Sequence, residues 1–248
     1  MTLPWFEPDW PAPQGVRALS TLRGDAQSGA SKTPYEGFNL GDHVGDDPTA
    51  VAENRRRLKV AAGLPNEPYW LSQVHGTRVA DLDSPAAPGP ADAAIARGSA
   101  KVCTILTADC LPILFASASG DAVAAAHTGW RGLAAGVIEA TVHAMESPPG
   151  SVMAWLGPAI GPQHFEVGAE VRNAFLAADP TSGEAFESNA RGRFMADLWM
   201  LARRRLQRLG VSRIYGGGEC TFAQADRYYS HRRDGITGRQ ATLIWREG

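Results

Sequence analysis

The sequence predicts an α+β layered fold rather than a doubly wound parallel sheet, in one domain spanning residues 1–248. Predicted strands and helices are mixed along the chain, and hairpin turns occur beside longer crossovers. No internal repeat and no sharp shift in composition marks a domain boundary. A hydrophobic content of 44% provides an ample core.

The first third of the chain predicts strand, loop, helix and strand in turn. The apolar run at residues 16–22 predicts a strand, and a long polar connection follows it. Loops of this length are often functional or mobile. Thr49 is a candidate N-cap for a helix that ends near Ala62. Residues 69–74 predict a strand that places His75 at its end.

The central stretch predicts a β-hairpin with chemically useful residues at its open end. Strands at residues 111–115 and 122–126 are joined by a polar turn at residues 118–121. Folding one strand back on the other places Cys110 and His127 at the same end, within a residue or two of opposite each other.

The remaining elements follow from the same patterns of apolar residues. They are strands at residues 102–107, 152–156, 211–215 and 240–245, and helices at residues 131–145, 168–178 and 196–209.

Two imidazoles and a thiol form the candidate metal site. His75, Cys110 and His127 offer three strong ligands and leave one coordination position for water, which is typical of catalytic zinc. Their spacing matches no short zinc-finger pattern, so the prediction rests on their positions at strand ends beside glycines or turns. Zn²⁺ is the predicted cofactor, and copper is disfavoured. A multicopper oxidase needs more histidines than the six present, none of which forms a His-x-His pair.

The same residues allow other interpretations. Cys110 as nucleophile and His127 as base would make a Cys/His hydrolase. If these residues have no functional role, both histidines are ordinary polar residues at strand ends with hydrogen-bond partners, and Cys110 is a buried apolar residue. Asp109 could orient a ligand or act as a catalytic acid or base, or simply form the turn. Cys103 is predicted to lie in the core, and Cys220 to be a plain loop thiol.

Charge and cysteine usage narrow the class of protein. A net charge of -2 argues against a general nucleic-acid binder. No apolar run approaches the roughly 20 residues that a membrane helix needs. The N-terminus lacks the pattern of a secretory signal, and an odd number of cysteines favours reduced thiols, so the predicted location is the cytoplasm. Arginines in loops or at element ends are candidates for binding an anion: Arg23, Arg131, Arg232 and Arg233.

Several motifs in a fixed order resemble the bacterial laccase-domain family, formerly called polyphenol oxidase. The motifs are FNLG (38–41), HVGDDP (43–48), ENRRRL (53–58), QVHG (73–76), TADCLP (107–112), GWRGL (129–133), GPAIGP (157–162), RRDG (232–235) and TGR (237–239). The resemblance implies a zinc-dependent purine nucleoside phosphorylase with adenosine deaminase activity, acting on a nucleoside and inorganic phosphate. It also implies a mixed α/β sandwich shared with deamidating toxins that use a Cys/His pair.

Carried over residue by residue, the metal ligands of the family correspond to His75, Cys110 and His127. Its substrate and phosphate contacts are placed on Arg23, Asn39 and Asp109, together with Arg233.

The chain departs from the family pattern at three places. Thr128 stands where a small hydrophobic residue is usual, His231 replaces the tyrosine of SYRRD, and the loop after Arg23 lacks GGVS. Because bacterial relatives are linked to peptidoglycan editing, the alternative function is an amidase that removes L-serine from a cell-wall precursor, by zinc hydroxide or by the pair Cys110 and His127. A non-enzymatic metal-binding partner protein is disfavoured by the open three-ligand site. The sequence indicates no oligomeric state.

Overall fold

A computed structural model describes residues 3–85 and 89–247. It shows mixed sheets covered by helices, which confirms the predicted class. The strands are β1 (Trp5–Phe6), β2 (Val16–Thr21), β3 (Tyr69–Trp70), β4 (Val79–Asp81), β5 (Ala93–Ala96), β6 (Val102–Thr107), β7 (Leu111–Ser117), β8 (Val123–Thr128), β9 (Val152–Leu156), β10 (Glu166–Val167), β11 (Phe186–Ser188), β12 (Phe194–Ala196), β13 (Arg213–Gly216) and β14 (Gln240–Arg246). The helices are α1 (Pro48–Ala61), α2 (Trp130–Ala135), α3 (Val137–Ala144), α4 (Ala169–Ala178), α5 (Leu198–Arg208) and α6 (His231–Asp234), with 3₁₀ turns at Pro149–Ser151 and Pro180–Ala185.

Two large sheets form the centre of the described structure. The first has the strand order β1-β2-β14-β6-β3, and the second β13-β9-β7-β8-β5-β4. Most neighbours are antiparallel, whereas β3 with β6, β4 with β5 and β13 with β9 are parallel. A small third sheet has the strand order β10-β12-β11, and its strands lie between β9 and β13 in the sequence.

Side-chain alternation along the strands sorts the core into three apolar clusters. Leu243 packs outward with Leu58 of α1, whereas its neighbour Ile244 packs inward among Ile105 and Leu114 of the two sheets. The outer face of the second sheet packs against α2 to α5. Each fully buried side chain of this kind contributes about 1.5–3 kcal/mol relative to exposure. The layers therefore run α1, first sheet, second sheet, remaining helices.

The turn at residues 108–110 carries the chain from one large sheet to the other, because β6 belongs to the first and β7 to the second. The β7–β8 hairpin pairs Leu111 with Thr128 and Pro112 with His127. The predicted placement of Cys110 and His127 at one end of this hairpin is therefore confirmed.

Several predicted boundaries are wrong. Asp47 is the N-cap of α1: its carboxylate accepts a hydrogen bond from the backbone N–H of Thr49 at 2.8 Å, while the predicted N-cap Thr49 lies inside the helix. The helix predicted at residues 131–145 is two helices, since Gly136 adopts a left-handed φ of 103° between α2 and α3.

The strand predicted at residues 69–74 ends at Trp70. Beyond it, the Gln73 carboxamide takes over the pairing with β6, donating to the Leu106 carbonyl at 2.9 Å and accepting from its N–H at 2.8 Å. A side chain thus replaces the backbone ladder just before His75. Among the described residues, no helix is both long and apolar enough to span a bilayer.

Candidate metal centre

The three predicted ligands converge at one edge of the two sheets. The Nε2 atom of His75 lies 4.0 Å from the Sγ atom of Cys110, and the His75 and His127 rings are 4.8 Å apart between centroids. One ligand atom from each residue lies within 4.8 Å of the other two. His127 is buried, Cys110 is partly exposed and His75 is exposed, so the group opens to solvent on one side.

This geometry fits a tetrahedral ion after small side-chain rotations. Around zinc, with Zn–S near 2.3 Å and Zn–N near 2.0–2.1 Å, the ligand atoms lie roughly 3.3–3.6 Å apart. Gly129 keeps the required space clear, since a Cβ there would lie 3.0 Å from both Cys110 Sγ and His75 Cδ2. Two nitrogens and a thiolate form a donor set that suits zinc and also copper.

Asp92, which sequence reasoning missed, ties the two histidines together. Its buried carboxylate accepts hydrogen bonds from His127 Nδ1 at 2.8 Å and from the backbone N–H groups of Val74, His75 and Gly76 at 3.2, 2.8 and 2.6 Å. Binding Nδ1 leaves Nε2 of His127 as the nitrogen available to a metal ion. An acidic residue within the apolar run Ala91–Ile95 was the available signal.

Backbone strain marks the same corner. His75 and Asp109 both have positive φ values, 61° and 88°, a backbone conformation that residues other than glycine seldom adopt. Hydrogen bonds hold Asp109 in place: its carboxylate accepts from the Thr221 hydroxyl at 2.7 Å and from the Arg232 N–H at 2.6 Å. The turn that presents Cys110 is therefore fixed from outside the hairpin.

The charges of the centre pair a thiolate with an imidazolium. Burial raises the pKa of the Cys110 thiol, but the charge of His127 and hydrogen bonds from both histidines outweigh it and lower the pKa to about 6. Burial also lowers the pKa of His127, while the Cys110 thiolate and Asp92 raise it to about 9. At neutral pH the centre therefore holds a thiolate beside a protonated His127, and a bound metal would displace that proton. Cys103 lies fully buried in the core, where desolvation raises its pKa.

An apolar cleft adjoins the centre. Its lining includes Asp109, Cys110, Trp130, Phe165 and His231, and its volume is ≈ 180 Å³. This volume is below the range of about 300–1,000 Å³ usual for drug-sized ligands. His231, one of the three departures from the family pattern, thus lines the cleft.

A second departure, Thr128, has a structural role. Its hydroxyl is buried and donates to the Leu111 carbonyl at 2.6 Å, which adds a cross-strand bond beside Cys110.

The predicted substrate residues lie in three different settings. Arg23 donates to the Ala225 carbonyl at 3.2 Å, and its guanidinium lies 5.4 Å from the Tyr229 ring centroid. Asn39 has no exposed surface. Arg233 keeps 17% of its side chain exposed, but Asp234 and three backbone carbonyls take its donors. Direct contact of these residues with substrate stays a prediction, and this geometry gives Asn39 and Arg233 no support for it.

Comparison with known proteins supplies the remaining context. A family model described as multi-copper polyphenol oxidoreductase laccase matches residues 18–247. A purine nucleoside phosphorylase of Pseudomonas aeruginosa is 53% identical over 242 residues, which cover 97% of this chain and 98% of that protein. The purine nucleoside phosphorylase YfiH of Escherichia coli is 49% identical over 239 residues, or 96% and 97% of the two chains. The crystal structure of a Neisseria meningitidis protein superposes with a TM-score of 0.93 at 46% identity, covering 98% of this chain and 99% of that one.

Proposed function

Because the chain belongs to the multi-copper polyphenol oxidoreductase laccase family, with close relatives named purine nucleoside phosphorylase, we propose that it is a cytosolic, zinc-dependent purine nucleoside phosphorylase. The observation that carries the proposal is the convergence of His75, Cys110 and His127 beside a cleft that could take a flat, largely apolar base. Adenosine, inosine and methylthioadenosine are the candidate substrates, and adenosine deamination is the proposed side activity.

The cleft supplies the binding energy for the base. Trp130 and Phe165 provide aromatic surface, and Ile160 and Leu198 provide aliphatic surface, for the two faces of a purine ring. Asp109 and Cys110 line the same cleft, so the sugar carbon that bears the base would lie near the metal centre.

Phosphorolysis breaks the bond between the base nitrogen and the anomeric carbon while a phosphate oxygen forms a new bond to that carbon. The base leaves with the electron pair and takes up the proton that the attacking phosphate oxygen loses. We assign Asp109 to relaying this proton from phosphate to base, because its carboxylate lines the cleft and is held by Thr221 and Arg232. His75, Cys110 and His127 would hold the zinc, which would supply a positive charge beside the cleft and an open coordination position. Asp92 keeps His127 in the tautomer that presents Nε2 to the ion.

The test is chromatography of metal-loaded protein incubated with adenosine, with and without phosphate, and again after chelation. The proposal predicts adenine release that requires phosphate and stops after chelation. Release of inosine without phosphate would make deamination the main reaction. Recovery of adenosine, inosine and methylthioadenosine intact would refute the nucleoside assignment.

One observation favours a second candidate. The carboxylate of Asp92, the imidazole of His127 and the thiol of Cys110 form a chain like that of a thiol hydrolase. The corresponding reaction is amide hydrolysis of a cell-wall precursor that carries L-serine. A thiol hydrolase should retain its activity after chelation, whereas the proposed phosphorylase should lose it, so the same chelation step separates the two.

A further inference from the structure

The arginines near the metal centre differ in how many of their N–H donors the protein itself uses. A guanidinium has five donors. In Arg233 all five are taken: Nε and Nη2 donate to Asp234, Nη2 also donates to the Tyr228 carbonyl, and Nη1 donates to the carbonyls of Thr221 and Phe222. An anion could bind there only by displacing these partners.

Arg239 has a free edge. Its Nη1 donates to the carbonyls of Thr237 and Gly238 at 3.0 and 2.9 Å, within its own turn. Within the described part of the chain, Nε and Nη2 meet no hydrogen-bond acceptor. The buried hydroxyl of Thr237 likewise has no partner there. Nε and Nη2 form the planar fork that matches two oxygens of a phosphate.

The sheet register places Arg239 beside the metal-bearing turn. In the pairing of β14 with β6, Gln240 lies opposite Thr107. Arg239 is therefore next to Ala108, the residue that leads into Asp109 and Cys110. Burial lowers the pKa of Arg239, and the charges of Cys110 and Asp109 act in the opposite direction, as expected for a cation within electrostatic range of both.

Asn39 holds this arginine in position. Its Oδ1 accepts from the N–H groups of Arg239 at 2.8 Å and Gly41 at 2.9 Å, and its Nδ2 donates to Asp46 at 2.8 Å. The Arg239 stem lies against Gly41, where a Cβ would be 2.8 Å from Cγ. The buried Asn39 thus links the FNLG and TGR segments through a hydrogen bond to the Arg239 backbone.

We propose that the free edge of Arg239 is an oxyanion subsite that binds inorganic phosphate beside the metal centre, positioned by Asn39. The proposal deepens the phosphorylase function and rests on it for the identity of the anion. The apolar cleft takes the base, and Arg239 takes the phosphate that attacks the sugar.

The test compares Arg239→Gln and Arg239→Lys with Arg208→Gln, a change of an exposed arginine on α5. Inorganic phosphate binding is measured by calorimetry on the metal-loaded protein without nucleoside, and KM for phosphate is measured in phosphorolysis. We expect Arg239→Gln to weaken phosphate binding and raise KM for phosphate by roughly 10–100-fold, the value of losing a charge-assisted hydrogen-bonded fork. Arg239→Lys should fall between, and Arg208→Gln should match the wild type.

Zinc content and KM for adenosine show whether Arg239→Gln affects phosphate binding alone. Both should stay within about twofold of wild type. Unchanged phosphate binding and an unchanged KM in Arg239→Gln would overturn the subsite while leaving the phosphorylase intact. Loss of phosphate binding in Arg239→Gln, with no phosphorolysis by the wild type or by any variant, would instead support the subsite and refute the proposed function. Wild-type protein that neither binds nor uses phosphate would overturn both.

Discussion

The metal centre and the arginines around it differ in what determines their ability to bind a ligand. At the metal centre, register and a single carboxylate fix the ligands: Cys110 precedes β7, His127 lies in β8, and Asp92 holds both histidines. Among the arginines, similar side chains differ in what they already bind, since Arg233 has no donor to spare and Arg239 does. Residue type therefore points to the candidate metal ligands, whereas only the hydrogen-bond partners tell which arginine can take a ligand.

The strongest test of the metal side of this comparison is Asp92→Asn. Each carboxylate oxygen now accepts from two N–H groups, and an amide keeps only one oxygen, so two donors would face the new NH₂ group. We expect zinc affinity to fall by about 10–100-fold, as is usual when the partner of a metal-bound histidine is changed. Competition with a chromophoric chelator measures it.

The matched control is Asp83→Asn. Asp83 is an exposed carboxylate that also accepts backbone hydrogen bonds, from Arg97 and Gly98, but lies outside the ligand group. Its substitution should leave zinc affinity unchanged. Equal zinc affinities for Asp92→Asn and wild type would show that Asp92 only fixes the backbone conformation of residues 74–76.

The sequence predicts the fold best where local patterns are strong. The strands around Cys110 and the hairpin to His127 follow from apolar runs and a polar turn, and both are confirmed. Strand β5 was missed because Ala93–Ala96 is mostly alanine, which carries little strand signal although all four residues are buried. The early end of β3 depends on the Gln73 side chain reaching Leu106, a contact that no local pattern encodes.

The candidate site divides in the same way. His75, Cys110 and His127 are rare residue types at predicted strand ends, so their convergence could be anticipated. Asp92 stands out as an acidic residue in an apolar run, but its role could not be predicted, because that role needs the positions of two distant segments. The roles of Asn39 and Arg239 depend on a hydrogen bond between residues 200 positions apart.

The arginine side of the comparison can be tested through stability. Arg233→Gln removes hydrogen bonds to Asp234 and to three backbone carbonyls, in a side chain only 17% exposed. We expect the free energy of unfolding to fall by about 1–3 kcal/mol. Arg239→Gln, whose fork is free, should change it by less than about 1 kcal/mol. Denaturant titration measures both, and a loss of phosphate affinity in Arg233→Gln without a loss of stability would return Arg233 to the binding site.

The smallest expected effect comes from Gly129→Ala, which probes how tightly the metal centre is enclosed. The Gly129 backbone, with φ -59° and ψ 154°, suits alanine, so any effect must come from the added methyl group. That group would lie 3.0 Å from Cys110 Sγ and from His75 Cδ2, and the two ligands would have to shift by a few tenths of an ångström. We expect zinc affinity to fall by up to about tenfold, or roughly 1.4 kcal/mol. Gly150→Ala, which meets nothing within 4 Å, should leave it unchanged. If both variants bind zinc equally well, the ligands have more freedom than the network around Asp92 implies, and the contrast with the arginines weakens.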